Sequence, residues 1–307
     1  MHDVVIIGAG PAGLTAGLYA GRYKLDAVIL EKFVVGGQIL LSPTIENFPG
    51  FPGGIPTDQL IMAMRKQVDE VGVPVKEVEV THIEVDRTHH HHTYTVFTKE
   101  ECCKTKSIIV ATGARWKKLG VPGEDRLTGR GVSYCGTCDA PLFKGKEVVV
   151  VGGGDKAMEE ALYLTAYASK VTVVHRRKEF RAAQILVDKA KQDPKISFIL
   201  DSTVEEVRGE MRVESVRIRD LIKHEVHDFP CQGLFIFVGI SPNTEFIKKE
   251  VETDENGFII TDNSMKSSLQ AVFACGDCRQ KSLYQVINGC GEAAAACHSV
   301  HTYLLNK

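Results

Sequence analysis

Val4-Val5-Ile6-Ile7 runs directly into Gly8-Ala9-Gly10-Pro11-Ala12-Gly13, and a small-residue helical pattern then leads to Ala27-Val28-Ile29-Leu30 and Glu31. An apolar strand, a glycine turn with GxGxxG spacing, a helix and a second strand make one βαβ unit. In such a unit the glycines let the backbone turn sharply, approach a pyrophosphate and pack helix on strand, while helix N-terminal N–H groups face the phosphates. Gly8, Gly10, Pro11, Ala12 and Gly13 are therefore expected to line a dinucleotide site, with Glu31 accepting hydrogen bonds from a ribose. A glycine-rich turn that binds nothing would not account for strand, helix and acid arriving in that order.

The same order recurs at Glu147-Val148-Val149-Val150-Val151, Gly152-Gly153-Gly154, a helix-like stretch from Lys156 to Ala168, and Val171-Thr172-Val173-Val174 ending at His175. Gly152, Gly154 and Ala157 form a GxGxxA variant around Asp155 and Lys156. Where an acid would read an unmodified ribose, this strand ends in His175-Arg176-Arg177, with Arg181 following. Guanidinium groups make charge-assisted, often bidentate bonds to phosphate, so the cluster suits the 2′-phosphate of NADPH. A solvated basic patch fits less well, because the arginines fall at the strand end where this fold reads the ribose.

Between the two units, 78–85 and 93–98 alternate apolar and polar residues, and Ser107-Ile108-Ile109-Val110-Ala111 reads as a buried strand entering Thr112-Gly113. The stretch from Gly257 holds a strand at Ala271-Val272-Phe273-Ala274, then Gly276-Asp277, then an Ala-rich helix from about Gly291. It is too incomplete to fold alone and is expected to complete the first domain. The fold class is thus α/β: two Rossmann-like domains, the second inserted into the first, with an added β-meander. The expected domains are 1–116 plus 243–307, and 117–242, with Pro122-Gly123 and Pro242 suiting linkers.

Cys135-Gly136-Thr137-Cys138 is a CxxC dithiol whose geometry permits a reversible disulfide. A structural zinc would want two further ligands at comparable spacing, none is obvious nearby, and no metal is expected. Asp139 follows directly and suits proton transfer to or from the redox centre; an N-cap or turn carboxylate is the ordinary alternative. The chain has 307 residues, 44% hydrophobic and 25% charged, with a formal charge of -2, which argues against nucleic acid as a partner. No run reaches the roughly 18 apolar residues of a membrane span, and no basic leader precedes the first strand. Nine cysteines, an odd count, fit reduced or catalytic thiols in a cytoplasmic protein.

With two dinucleotide units, a CxxC ahead of the second and a basic strand end, the sequence resembles the low-molecular-weight thioredoxin reductases of the FAD/NADPH pyridine nucleotide-disulfide oxidoreductase family over essentially its whole length. The matching segments are Gly8 to Gly13, Gly36-Gly37-Gln38, Glu46-Asn47-Phe48-Pro49-Gly50, Ala111-Thr112-Gly113, Cys135 to Asp139, Gly152 to Gly154, His175 to Arg177 with Arg181, and Gly276-Asp277 with Gln285-Val286. The resemblance implies FAD in the first domain, held by the first fingerprint with Glu31, Gly37, Gln38, Asn47, Thr112, Gly113, Gly276, Asp277, Gln285 and Val286. NADPH belongs to the inserted domain. The resemblance also implies a homodimer in which NADPH reduces the flavin, the flavin reduces the Cys135–Cys138 disulfide through Cys138, and Cys135 attacks thioredoxin or a thioredoxin-like protein disulfide. The inserted domain is then expected to swing on hinges near 117 and 242.

Ala140 replaces a usual Gly, Lys156 a small Ser or Thr, and Tyr284 an Arg that often precedes Gln285. Lys156 is read as adding phosphate attraction. Cys275-Gly276-Asp277-Cys278 is a second CxxC inside the Gly-Asp motif, read as buried apolar thiols with an auxiliary redox pair as the alternative. Cys102-Cys103 and His89 to His92 read as parts of a solvated hairpin end. Competing functions are a related flavoprotein reductase with another acceptor, a dithiol oxidase, for which the arginine cluster would be superfluous, and an NADPH-binding redox sensor.

Overall fold

The computed structural model describes the chain except for residues 42, 43, 46, 89, 90, 135 and 307. It divides into two compact units, Met1–Arg115 with Ser241–Lys307, and Trp116–Ile240.

In the first unit five strands lie in the order Val272–Ala274, Ile108–Val110, Val4–Ile7, Ala27–Glu31, Val75–Glu77, every neighbouring pair parallel. Parallel neighbours need crossovers, and the crossovers cover both faces of the sheet, so its strands are apolar on both sides. Val4 and Ile6 join a cluster with Leu14, Ala16, Ala293 and Ala296, contributed by the Pro11–Arg22 and Val286–Leu305 helices. Val5 and Ile7 point the other way, into Ile83, Tyr94 and Val96 of an antiparallel meander. The last 20-residue helix and the edge strand before it thus belong to the core of the first unit.

The second unit repeats the plan. Its parallel order is Val132–Ser133, Gly233–Phe237, Glu147–Gly152, Lys170–Val174, Ile196–Ile199. Val148 and Val150 pack on Met158, Ala161 and Leu164 of the Asp155–Leu164 helix, whereas Val149 and Val151 pack on Val204, Val207, Val216 and Ile218 of a second meander.

The structure departs from the sequence reading in four places. The second meander, Ser202–Arg208, Ser215–Asp220 and Val226–Pro230, was not expected; a register shift between Val204 and Glu206 breaks the alternation that would announce it. The C-terminal helix starts at Val286, not near Gly291. Gly289 lies inside that helix and is buried. The helix after the second fingerprint ends at Leu164, because Ala166 and Tyr167 donate to carbonyls three residues back and tighten the chain into a turn.

Pro122-Gly123, finally, is not a linker but a packed corner within the second unit. The Pro122 carbonyl accepts from the Val207 N–H at 2.9 Å, and Gly123 has φ of +86° with a would-be Cβ 1.9 Å from the Val207 oxygen. Gly123→Ala is accordingly expected to cost about 1–3 kcal/mol in chemical unfolding. A linker glycine would shift stability by a few tenths.

Candidate active site

In the first fingerprint three glycines meet three different demands. Gly8 turns with φ of +106° and would push a Cβ to 2.3 Å from the Ala111 oxygen. Gly13 brings helix onto strand so closely that a Cβ would lie 1.8 Å from the Gly8 oxygen. Gly10, at the helix N-cap, faces open space, its nearest neighbour the Gly36 oxygen at 3.8 Å from a would-be Cβ. No side chain caps the helix, so its first N–H groups stay available to an anion. Those are the features a pyrophosphate needs. Glu31, at the adjacent strand end, accepts from the Ala9 N–H at 2.6 Å and the Phe33 N–H at 3.0 Å, and each oxygen keeps a lone pair for a ribose.

Around this turn the other expected residues of the first unit converge. Gly37 comes within 3.6 Å of the Gly10 Cα, measured from a would-be Cβ, and opens the short helical turn that carries Gln38. The Asn47 amide donates to the Gln285 carbonyl oxygen at 2.9 Å, and Gln285 is the N-cap of the Val286–Leu305 helix. Glu46, the neighbouring motif residue, lies outside the described residues. Thr112 donates to the Asn243 main-chain oxygen at 2.7 Å, and the Asn243 amide returns a bond to the Thr112 oxygen at 3.0 Å. Asn243 was not singled out from sequence.

Nor was the buried ion cluster under Gly276-Asp277. Glu292 accepts from the Gly276 N–H at 2.8 Å, from Arg279 at 2.7 Å and from Asn288 at 3.0 Å, and Lys281 reaches both Glu292 and Asp277. The single acid of a helix rich in small residues, two turns from its start, was the available signal. Tyr284 stacks at a tilt on Phe258 and lies beneath the Lys281 ammonium. Cys275 and Cys278 are free, wholly buried thiols; burial raises both, Cys278 to about 11, and the Cys278 thiol donates to the Val110 and Cys275 oxygens.

In the second unit Gly152 abuts the Phe237 oxygen, Gly154 faces open space at an uncapped helix N-terminus, and Ala157 packs under the turn. Arg176, Arg177 and Arg181 are exposed beyond the Lys170–Val174 strand. The Arg181 main chain donates to the Gly153 oxygen at 2.7 Å, and Asp155 accepts from the Ala183 N–H at 2.6 Å, so the arginine loop is tied to the fingerprint. His175 turns inward, buried against Gly153 and stacked on Phe180, with its Nε2 on the Glu179 oxygen at 3.1 Å. Lys156, read as adding phosphate attraction, pairs with Glu160 one turn on.

Cys135 lies outside the described residues, whereas the backbone of Cys138 is in the helical turn Gly136–Asp139. Asp139 occupies the N-cap position of the next turn without a side-chain capping bond. Tyr134, just ahead of the dithiol segment, donates to Glu124 at 2.6 Å; that buried carboxylate also accepts from Leu119 and Gly120, and burial raises the Tyr134 hydroxyl. Among the described residues no group of His, Cys, Asp or Glu could hold a metal ion, and no helix is long and apolar enough to cross a membrane. His89 and His90 lie outside the described residues; His91 meets the Tyr303 ring edge-on.

Comparison with known proteins gives one consistent result. The profile of the family described as pyridine nucleotide-disulphide oxidoreductase matches residues 2–293. Thioredoxin reductase of Listeria innocua is 42% identical over 305 residues, covering 99% of this chain and 94% of that one. The Bacillus subtilis thioredoxin reductase is 40% identical over 305 residues, covering 99% and 95%. Among solved structures, Lactococcus lactis thioredoxin reductase in its FR conformation superposes with a TM-score of 0.93 at 40% identity over 100% of both chains, and the T. acidophilum enzyme with 0.90 at 32% identity over 99% of both.

Burial lowers the His175 imidazole below its usual 6.5, and Arg181, Arg177 and Arg176 add repulsion against the partial offset of the Glu179 carbonyl. With the lower value in the folded state, the unfolded chain takes the proton first. Stability is therefore full above 6.5 and falls as pH drops through the folded value. The thermal midpoint should fall less steeply below pH 6.5 in His175→Gln than in wild type; parallel curves would show that this ring does not drive the loss.

Proposed function

The chain belongs to the pyridine nucleotide-disulphide oxidoreductase family, and on that footing we propose that it is an NADPH-dependent thioredoxin-disulfide reductase. The observation that carries this reading is that one compact unit holds both the Cys135–Cys138 segment and a second dinucleotide fingerprint followed by exposed arginines, while the other unit has a fingerprint of its own. Two fingerprints fit two dinucleotides. FAD, when bound, supplies a two-electron relay between NADPH and the Cys135–Cys138 disulfide.

The first unit would hold FAD: Gly8 to Gly13 on its pyrophosphate, Glu31 on a ribose, and Gly37, Gln38, Asn47, Thr112, Gly113, Gly276, Asp277, Gln285 and Val286 along the remainder. Glu292 fixes the Gly276-Asp277 turn onto the helix that Gln285 caps, so this part of the site is held in place before ligand arrives. In the second unit Gly152, Gly154, Asp155 and Ala157 would take the NADPH pyrophosphate, and Arg176, Arg177 and Arg181 its 2′-phosphate, with His175 supporting Gly153.

Reduction of the disulfide consumes two electrons and a proton and leaves one thiolate and one thiol. The Cys135 thiolate attacks a thioredoxin disulfide to form a mixed disulfide and expel a thiolate. Cys138 then resolves the mixed disulfide and regenerates the intramolecular one, with Asp139 as proton carrier. Across the cycle NADPH and a proton become NADP⁺ while one protein disulfide becomes a dithiol. A homodimer and a cytoplasmic setting complete the proposal; the latter is supported by free thiols at Cys102, Cys103, Cys231 and Cys297.

Steady-state assays with oxidised thioredoxin should show turnover with NADPH. Arg176→Ala with Arg181→Ala should raise KM for NADPH about ten- to a hundredfold, the loss of charge-assisted phosphate bonds, and leave that for NADH within about twofold. Equal effects on both nucleotides would remove the arginines from the 2′-phosphate, and no turnover with any thioredoxin would remove the activity.

A further inference from the structure

Glu160 lies on the helix that opens from the second fingerprint, and its side chain is only 2% exposed. Burying a carboxylate is costly unless its charge is paired and its lone pairs are used. One oxygen pairs with Lys156, where the resemblance would place a small Ser or Thr. The other, Oε2, is buried and has no hydrogen-bond partner among the described residues. That oxygen rests against Gly136, so closely that a Cβ on Gly136 would lie 2.0 Å from it. Gly136 directly follows Cys135 and precedes Cys138 by two. An incompletely satisfied anion is thus held against the backbone between the two cysteines, and only glycine admits it.

We propose that Glu160, paired with Lys156, is a positioning residue that makes the Cys135–Cys138 pair a stronger reductant. The inference rests on the reading of that pair as the redox centre. Uptake of two electrons and one proton turns the disulfide into a thiolate and a thiol, so the reduced form carries a negative charge that the disulfide lacks. A fixed carboxylate behind Gly136 repels that charge and leaves the disulfide untouched, which shifts the equilibrium toward disulfide and lowers the reduction potential. Glu159 and Tyr163 lie on the same helix, and Asp139 closes the dithiol turn. Of these Tyr163 is neutral at working pH, raised to about 12 by its bond to Tyr167 and by burial.

The test equilibrates the holoenzyme anaerobically with graded reduced and oxidised dithiothreitol, alkylates it, and reads the oxidised fraction of the Cys135–Cys138 peptide by mass spectrometry. Glu160→Gln keeps the shape and removes the charge. Lys156→Met with Glu160→Gln removes the whole pair and guards against a variant that fails to fold with an unpaired lysine. Glu160→Gln should shift the equilibrium toward the dithiol by about tenfold, or about 30 mV for a two-electron couple, with thiolate absorbance appearing at lower pH, and the double variant should shift it the same way by about threefold. Potentials equal to wild type within about twofold in the equilibrium constant, or a shift toward disulfide, would overturn the proposal. A wild-type pair that never cycles would overturn the redox reading beneath it, a result distinguishable because it is seen before any substitution.

Discussion

In both units a helix must leave a parallel strand, turn back and lie so close to it that the third fingerprint position admits almost no side chain. A Cβ on Gly13 would lie 1.8 Å from the Gly8 oxygen, and Ala157 fills the corresponding place against Gly152. That close approach aims an uncapped helix N-terminus at the carboxyl edge of the sheet. The rest is arranged around it: Glu31 and the arginine loop at the next strand end, Asn47 and Gln285 joined to each other, and the dithiol turn packed on the helix of the second fingerprint.

Three buried carboxylates then hold these parts in place. Glu124 anchors the residue ahead of the dithiol segment, Glu292 ties the Gly276-Asp277 turn to the last helix, and Glu160 backs Gly136. A buried carboxylate is stable where backbone N–H groups or cations surround it, so each also orders the chain that supplies those donors. Glu124 and Glu292 are richly bonded. Glu160 keeps one oxygen without a partner among the described residues, which sets it apart from the other two.

The sequence was legible where the chemistry is local. Fingerprints, strand ends and the CxxC declare themselves over a few residues, and the alternation of Val148 and Val150 against Val149 and Val151 follows from a sheet covered on both faces. Legibility failed where a bulge interrupts the period, as at Val204–Glu206, and where a glycine serves packing, as at Gly123. It failed too for the buried acids Glu124 and Glu292, whose partners are supplied by the fold. Lys156, read as an anion ligand beside a phosphate-binding turn, also pairs with Glu160, one turn along its own helix.

The central claim is that NADPH electrons reach the Cys135–Cys138 pair through one bound flavin. It is tested most directly by anaerobic titration of the holoenzyme with NADPH, followed by flavin absorbance, in wild type and in Cys135→Ser with Cys138→Ser. Wild type should take up about four electrons per flavin and the double variant about two. Equal uptake by both proteins, or a flavin that NADPH does not bleach, would contradict it.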